Sequence, residues 1–216
     1  MNLRNPKDIF LHNPGRIYCF ADSTVLCRTL LEAGARVIQL RHKTADDAAF
    51  RQIAAEMLAL VRSFEDAVLI VNDRVDIALE MGADGVHVGQ EDRDCREVVN
   101  RAPASMIVGV SARTAVLARA AGRAGATYVG AGAVFATSTK SEADVIGLPG
   151  LREVVAAVDI PVVAIGGIAA ANLRTVLAAG VRYCAVISGI NDAPDPGAAL
   201  QQLLATSASF PVRQGR

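Results

Sequence analysis

The sequence predicts a single α/β domain over residues 1–216, built as a closed (β/α)8 TIM barrel. Three observations carry that prediction. Short β-branched runs alternate eight times with longer Ala/Leu-rich amphipathic stretches, the pattern of parallel strands joined by helical crossovers. Small-residue punctuation recurs just ahead of strands, at Ala33-Gly34-Ala35, Met81-Gly82-Ala83-Asp84-Gly85, Ala124-Gly125-Ala126 and Ala179-Gly180-Val181. Glycine there caps one helix and turns the chain into the next strand. Polar residues gather at the C-terminal ends of the apolar runs, the end that forms one surface in a closed parallel barrel. An open doubly wound sheet would usually carry a glycine-rich loop after its first strand, and Ala21-Asp22-Ser23 is not one.

In chain order, a strand at Arg16–Phe20 leads to a helix at Thr24–Glu32. Ala35–Leu40 runs into Arg41 and Lys43 and then the helix Ala45–Ser63. Ala67–Val71 ends in Asn72 and Asp73 before Val75–Met81, and Gly85–Val88 runs to Gln90 and Asp92 before Arg93–Arg101. Met106–Val110 ends in Ser111 ahead of Ala115–Ala124. Tyr128–Ala131 opens a long connection through Thr137-Ser138-Thr139-Lys140 to Leu151–Val158. Val162–Ile165 ends in Gly166-Gly167 before Ala171–Ala179, and Tyr183–Ile187 ends in Ser188-Gly189 before Gly197–Leu204.

Composition bounds the function. A hydrophobic fraction of 52% with 20% charged residues describes a folded globular chain. Formal net charge is zero, so no global field favours nucleic acid or an anionic membrane, and any anion site is local. No apolar run approaches the ~20 residues that span a bilayer. Residues 1–15 read as a short polar segment without a signal-peptide core, so the expected location is cytoplasmic. Cys19, Cys27, Cys95 and Cys184 show no CxxC pairing and read as reduced structural thiols. Serine, glycine and proline after Ser207 predict a loose tail over residues 207–216. A homo-oligomer stays open, because no exposed apolar face separates from the barrel exterior.

The strand ends carry the chemistry. Alternation puts Gln39, Arg41 and Lys43 on one face, two cations and an amide suited to a multiply charged anion and a polar ring. Asp73 and Asp92 follow neighbouring strands, and hard oxygens without Cys or His partners suit Mg²⁺, which takes further oxygens from phosphate. Either aspartate alone would serve as a helix N-cap. Thr137 to Lys140 lie in a loop long enough to close over the mouth. Ser111 either bonds a phosphate or starts its helix. Gly166-Gly167 and Ser188-Gly189 follow strands seven and eight, a frequent phosphate site in such barrels. His87 shares a face with Gly85 and Gly89 and points into the barrel, as a core histidine or a contact for a heterocycle. His12 and His42 receive no role.

Together these residues resemble the thiamine phosphate synthases from Tyr18 to Ile190, through VIQLRHK (Val37–Lys43), LIVNDRVDIALEMGADGVHVGQED (Leu69–Asp92), GVSART (Gly109–Thr114), TSTK (Thr137–Lys140), AIGGI (Ala164–Ile168) and VISGI (Val186–Ile190). The resemblance implies a Mg²⁺-dependent transferase that joins hydroxymethylpyrimidine diphosphate to thiazole phosphate. Pyrophosphate would leave first, and the thiazole nitrogen would capture a pyrimidine cation. It implies Asp73 and Asp92 as metal ligands, with Arg41, Lys43, Asn72, Ser111, Thr139 and Lys140 holding diphosphate. It also implies Gln39 and His87 against the pyrimidine, and Thr137, Gly167, Ile187 and Ser188 near the thiazole phosphate. His42, Arg113 and Ala136 stand where the family commonly has glutamate, histidine and proline, and none of these changes removes a ligand. Two other readings compete. A thiazole tautomerase on the same barrel would not need both aspartates and the TSTK loop. A non-catalytic phosphate-ligand sensor would not need the charged site retained here.

Overall fold

The eightfold alternation folds as expected. In the computed structural model, which describes residues 4–90, 92–137 and 144–210, helix α1 (Pro6–His12) precedes strand β1 (Ile17–Ala21) and α2 (Thr24–Glu32). Then come β2 (Val37–Leu40), α3 (Asp47–Arg62), β3 (Val68–Asn72), α4 (Val75–Glu80), β4 (Gly85–Val88) and α5 (Cys95–Arg101). The second half holds β5 (Ile107–Ser111), α6 (Ala115–Ala124), β6 (Tyr128–Ala131), α7 (Gly147–Ala156), β7 (Val162–Ile165) and α8 (Leu173–Leu177). It closes with β8 (Tyr183–Val186), the short α9 (Ser188–Asn191) and α10 (Pro196–Ala208). All eight strands run parallel in chain order, and β8 pairs back onto β1 to close a TIM barrel.

Alternation along each strand divides the apolar residues into two packed bodies. Outward-facing residues such as Cys19, Ile38, Leu40, Leu69, Val71, Val86 and Val129 meet the helices. Inward-facing Tyr18, Phe20, Val37, Val68, Ile70, Ile107, Tyr128, Val163, Tyr183 and Ala185 fill the barrel. Three of the four cysteines are fully buried, and burial pushes the Cys19, Cys27 and Cys184 thiols up to about 12. All four are free thiols, as their spacing predicts.

One terminal element was not anticipated, and another runs longer than expected. Residues 1–15 read as a polar segment, yet Asn5 accepts from Lys7 N at 3.1 Å and Pro6 starts a helix. That helix drives Phe10 into the N-terminal end of the barrel, 5.0 Å from the Tyr128 ring and 4.9 Å from the Tyr183 ring. Tyr183 donates to the Phe10 carbonyl at 2.6 Å. At the other end of the chain, the loose tail expected from Ser207 does not start there. Asp195 caps α10 through Ala198 N at 2.9 Å, and the helix continues through Ala208 with Ser207 buried. The rest of that tail, residues 211–216, lies outside the described residues.

The barrel floor is bolted by ion pairing. Arg4 grips the buried Asp84 with both nitrogens, at 2.5 and 3.1 Å, and Asp84 also accepts from Leu69 N at 2.9 Å. Among the described residues no helix is long and apolar enough to cross a membrane.

Candidate active site

The mouth opens at the C-terminal ends of the strands. Asp73, one residue past β3, adopts φ +61°, a left-handed conformation that aspartate tolerates better than most residues. Its N–H donates to the His87 carbonyl at 2.8 Å, which prolongs the β3–β4 pairing and turns the carboxylate toward the loop after β4. Asp92, in that loop, accepts from Gly89 N at 2.7 Å. A Cβ on residue 89 would lie 2.8 Å from the Asp92 carboxylate, so glycine there permits the turn. Asn72 donates to Asp73 at 2.5 Å. The two carboxyls are within bonding reach of each other, although Asp73 keeps one side open to solvent.

That arrangement raises Asp73 to about 6, through partial desolvation first and then the like charge of Asp92, with Asn72 and Arg41 opposing. Two carboxylates in contact beside one guanidinium are short of positive charge, and their hard oxygens fit a divalent cation.

The cationic wall is braced from below. Arg41 N donates to the Ala21 carbonyl at 3.0 Å, extending the β1–β2 register into the mouth. Arg41 is half-buried and Lys43 exposed. His42 accepts from Ala45 N at 3.1 Å and so shapes the turn that carries both cations. Arg74 bonds Asp47 and the Ala45 carbonyl and lies 4.6 Å over the Phe50 ring. This side chain ties the loop bearing Asp73 to the loop bearing Arg41 and Lys43.

Inside the barrel a continuous chain of polar groups reaches the mouth. Gln39 donates to Tyr18 Oη at 2.8 Å, and Tyr18 Oη lies 2.9 Å from Tyr128 Oη. Tyr128 Oη lies 2.9 Å from His87 Nδ1, and His87 Nε2 lies 3.0 Å from Ser111 Oγ. Desolvation lowers His87 to about 4, against the attraction of Asp92, so the ring is neutral at physiological pH. Burial raises both phenols well above the ordinary tyrosine value. Gly109 makes the chain possible, because a Cβ there would sit 2.1 Å from Tyr128 Cζ. Tyr18 and Tyr128 were missed from the sequence as site residues. Strand alternation already placed both on the face of His87, and a buried phenol needs a polar partner.

The far rim belongs to β6, β7 and β8. Gly167 has φ +64°, and a Cβ there would lie 2.6 Å from the Ala136 carbonyl, so the two loops touch. Asn172 donates to the Gly167 carbonyl at 2.9 Å and accepts from Ala169 N at 2.9 Å. Ile187 and Ser188 pass from β8 into α9, and Gly189 packs toward the Ile168 carbonyl. Thr137 is half-buried on this side. Arg113, exposed after β5, pairs with Asp144 at 2.8 Å. Thr139 and Lys140 lie outside the described residues.

The expected residues therefore fall into three groups around one mouth. Asn72, Asp73, Asp92 and Arg41 form the charged group. Gln39, His87 and Ser111 belong to the interior chain. Thr137, Gly167, Ile187 and Ser188 line the opposite rim.

A family model described as thiamine monophosphate synthase matches residues 14–190. The chain belongs to the thiamine monophosphate synthase family. It is 43% identical over 203 residues to the thiamine-phosphate synthase of Pyrococcus furiosus, covering 94% of this chain and 96% of that protein. The Pyrococcus abyssi thiamine-phosphate synthase is 44% identical over 176 residues, covering 82% and 84%. Among solved structures, thiamine phosphate pyrophosphorylase from Pyrococcus furiosus superposes with a TM-score of 0.84 at 40% identity, covering 91% of this chain and 97% of that one. Members of the family are transferases of thiamine biosynthesis, and the barrel, the two aspartates and the interior chain are the framework this family member presents.

Proposed function

We propose that this family member is a Mg²⁺-dependent thiamine phosphate synthase. It joins 4-amino-2-methyl-5-hydroxymethylpyrimidine diphosphate to a thiazole phosphate and releases pyrophosphate. The observation that carries the reading is the Asp73–Asp92 pair, two carboxyls in contact at the mouth with Arg41 acting on Asp73. Asp73 and Asp92 would hold Mg²⁺, which when bound neutralises charge on the diphosphate.

Arg41, Lys43, Asn72 and Ser111 bring cations and donors to the diphosphate, joined by Thr139 and Lys140 on family resemblance. As the carbon–oxygen bond breaks, its electron pair leaves with the diphosphate, and fixed positive groups stabilise the charge that develops there. The pyrimidine methylene is left cationic, and the lone pair of the thiazole nitrogen adds to it. The nitrogen is already nucleophilic, so no residue has to act as a general base. Gln39 and neutral His87 contact the pyrimidine and orient it. Thr137, Gly167, Ile187 and Ser188 hold the thiazole phosphate so that its ring faces the cation.

Pyrophosphate release with both substrates and Mg²⁺ tests the reading, with wild type compared against Asp92→Ala. Release that needs both substrates and collapses in the variant supports it. No release from folded wild type, with thiazole phosphate still bound, would sink it.

A further inference from the structure

The interior chain has a direction. Gln39 Nε2 only donates, so Tyr18 Oη accepts from it at 2.8 Å. Either hydroxyl can donate in the 2.9 Å contact between Tyr18 Oη and Tyr128 Oη, and with Tyr18 already accepting from Gln39, its single hydrogen is left for Tyr128. Continued in that sense, the chain has Tyr128 donate to His87 Nδ1, 2.9 Å away, and that nitrogen carries no hydrogen. A neutral imidazole then holds its hydrogen on Nε2, which donates to Ser111 Oγ at 3.0 Å. In that direction Ser111 accepts from inside, which leaves its own hydroxyl hydrogen for the mouth. The Ser111 carbonyl is held by the Gln90 side chain, so the backbone beneath that hydroxyl is fixed as well.

We infer that Tyr18 and Tyr128 are positioning residues, which set the polarity of this chain so that Ser111 presents a hydrogen, and not a lone pair, to the anion bound at the mouth. The opposite polarity uses the same atoms. With the Gln39 amide turned over, every bond reverses, His87 carries its hydrogen on Nδ1, and Ser111 donates inward. An anion needs donors, so only the direction that starts from the Gln39 amide as donor serves it. The identity of that anion as a diphosphate rests on the function proposed above. The direction of the chain does not.

Nitrogen NMR of protein labelled at histidine reads the direction with no ligand present. His87→Asn identifies its signal among the three histidines. Wild type is expected to show His87 as the Nε2–H tautomer, and Tyr128→Phe, which removes the donor to Nδ1, to show a mixture of tautomers. Calorimetry with inorganic pyrophosphate and Mg²⁺ reads the consequence. Tyr128→Phe is expected to weaken binding about tenfold, Ser111→Ala by a similar factor, and the double variant no further than about twofold beyond either. Tyr18→Phe cuts the chain one link earlier and covers a Tyr128→Phe protein that fails to fold; it is expected to shift the tautomer in the same sense. An Nδ1–H ring in wild type, or losses that add in the double variant, would overturn the inference. An Nε2–H ring in a protein that binds no pyrophosphate would overturn the anion role and the proposed function together.

Discussion

Aspartates mark the two ends of this barrel, and they follow opposite rules. At the floor, the end that Phe10 plugs, Asp84 is buried and saturated, held by two Arg4 nitrogens and by Leu69 N. At the mouth, Asp73 faces a second carboxyl and one guanidinium, and its φ of +61° is a conformation few side chains favour. The same functional group stabilises one end and is left short of counter-charge at the other. The pairing of charges, more than their number, separates the part of the molecule that holds it together from the part that binds a ligand.

Breaking the mouth should cost catalysis and spare the fold. Asp92→Ala is expected to lower turnover about a thousandfold, equivalent to about 4 kcal/mol of transition-state stabilisation, in a protein that still unfolds cooperatively. Steady-state pyrophosphate release beside thermal melting checks both halves. Breaking the floor should do the reverse. Phe10→Ala leaves a cavity between the Tyr128 and Tyr183 rings and is expected to cost about 3–5 kcal/mol in denaturant unfolding, with turnover per folded molecule kept within about twofold.

The like-charge pair also predicts a pH signature. Asp73 titrates near 6 in the folded protein against an ordinary carboxylate value of 3.8, so the fold binds more protons than the unfolded chain between them. Its contribution to the stability of metal-free protein is therefore complete below the ordinary value and is lost as pH rises through about 6. Asp73→Asn should flatten that part of the melting-temperature profile, and Mg²⁺ affinity in wild type should strengthen over the same interval. A profile identical in the two proteins would contradict the raised value. The smallest effect belongs to the rim, where Arg113→Ala removes an exposed pair and should cost under about 1 kcal/mol.

Much of this was legible in the sequence because strands have a period of two. Once Val37–Leu40 was a strand, Gln39 had to face inward, and the end of Val68–Asn72 had to bring Asp73 to the mouth. Strands Gly85–Val88, Tyr128–Ala131 and Val162–Ile165 end where the pattern put them, since burial on both faces leaves little freedom. What escaped depended on contacts between elements distant in sequence. Helix α1 is short and polar on most faces, and its purpose appears only when Phe10 meets Tyr128 and Tyr183. Helix α7 starts at Gly147, four residues before Leu151, through a Gly-Leu-Pro-Gly stretch whose composition reads as a turn. Proline is tolerated in a first helical turn because the N–H it lacks has no partner there. The interior chain was half legible: His87 was placed inside, but its bonds to Tyr128 and Ser111 depend on three strands being adjacent.

The seam where β8 meets β1 joins residues from opposite ends of the chain, Ile17 beside Cys184 and Cys19 beside Val186. Reciprocal arginines fasten it, with Arg16 donating to the Val181 carbonyl at 2.7 Å and Arg182 reaching back to Gly15 at 3.2 Å. Every other strand pairing can form between neighbours in sequence, while this one must wait for almost the whole chain. A nascent chain that has emerged only through β7 therefore carries two open sheet edges, on β1 and β7, each able to recruit a strand from another molecule. Synthesis of the last strand ends that exposure and removes both edges in a single step.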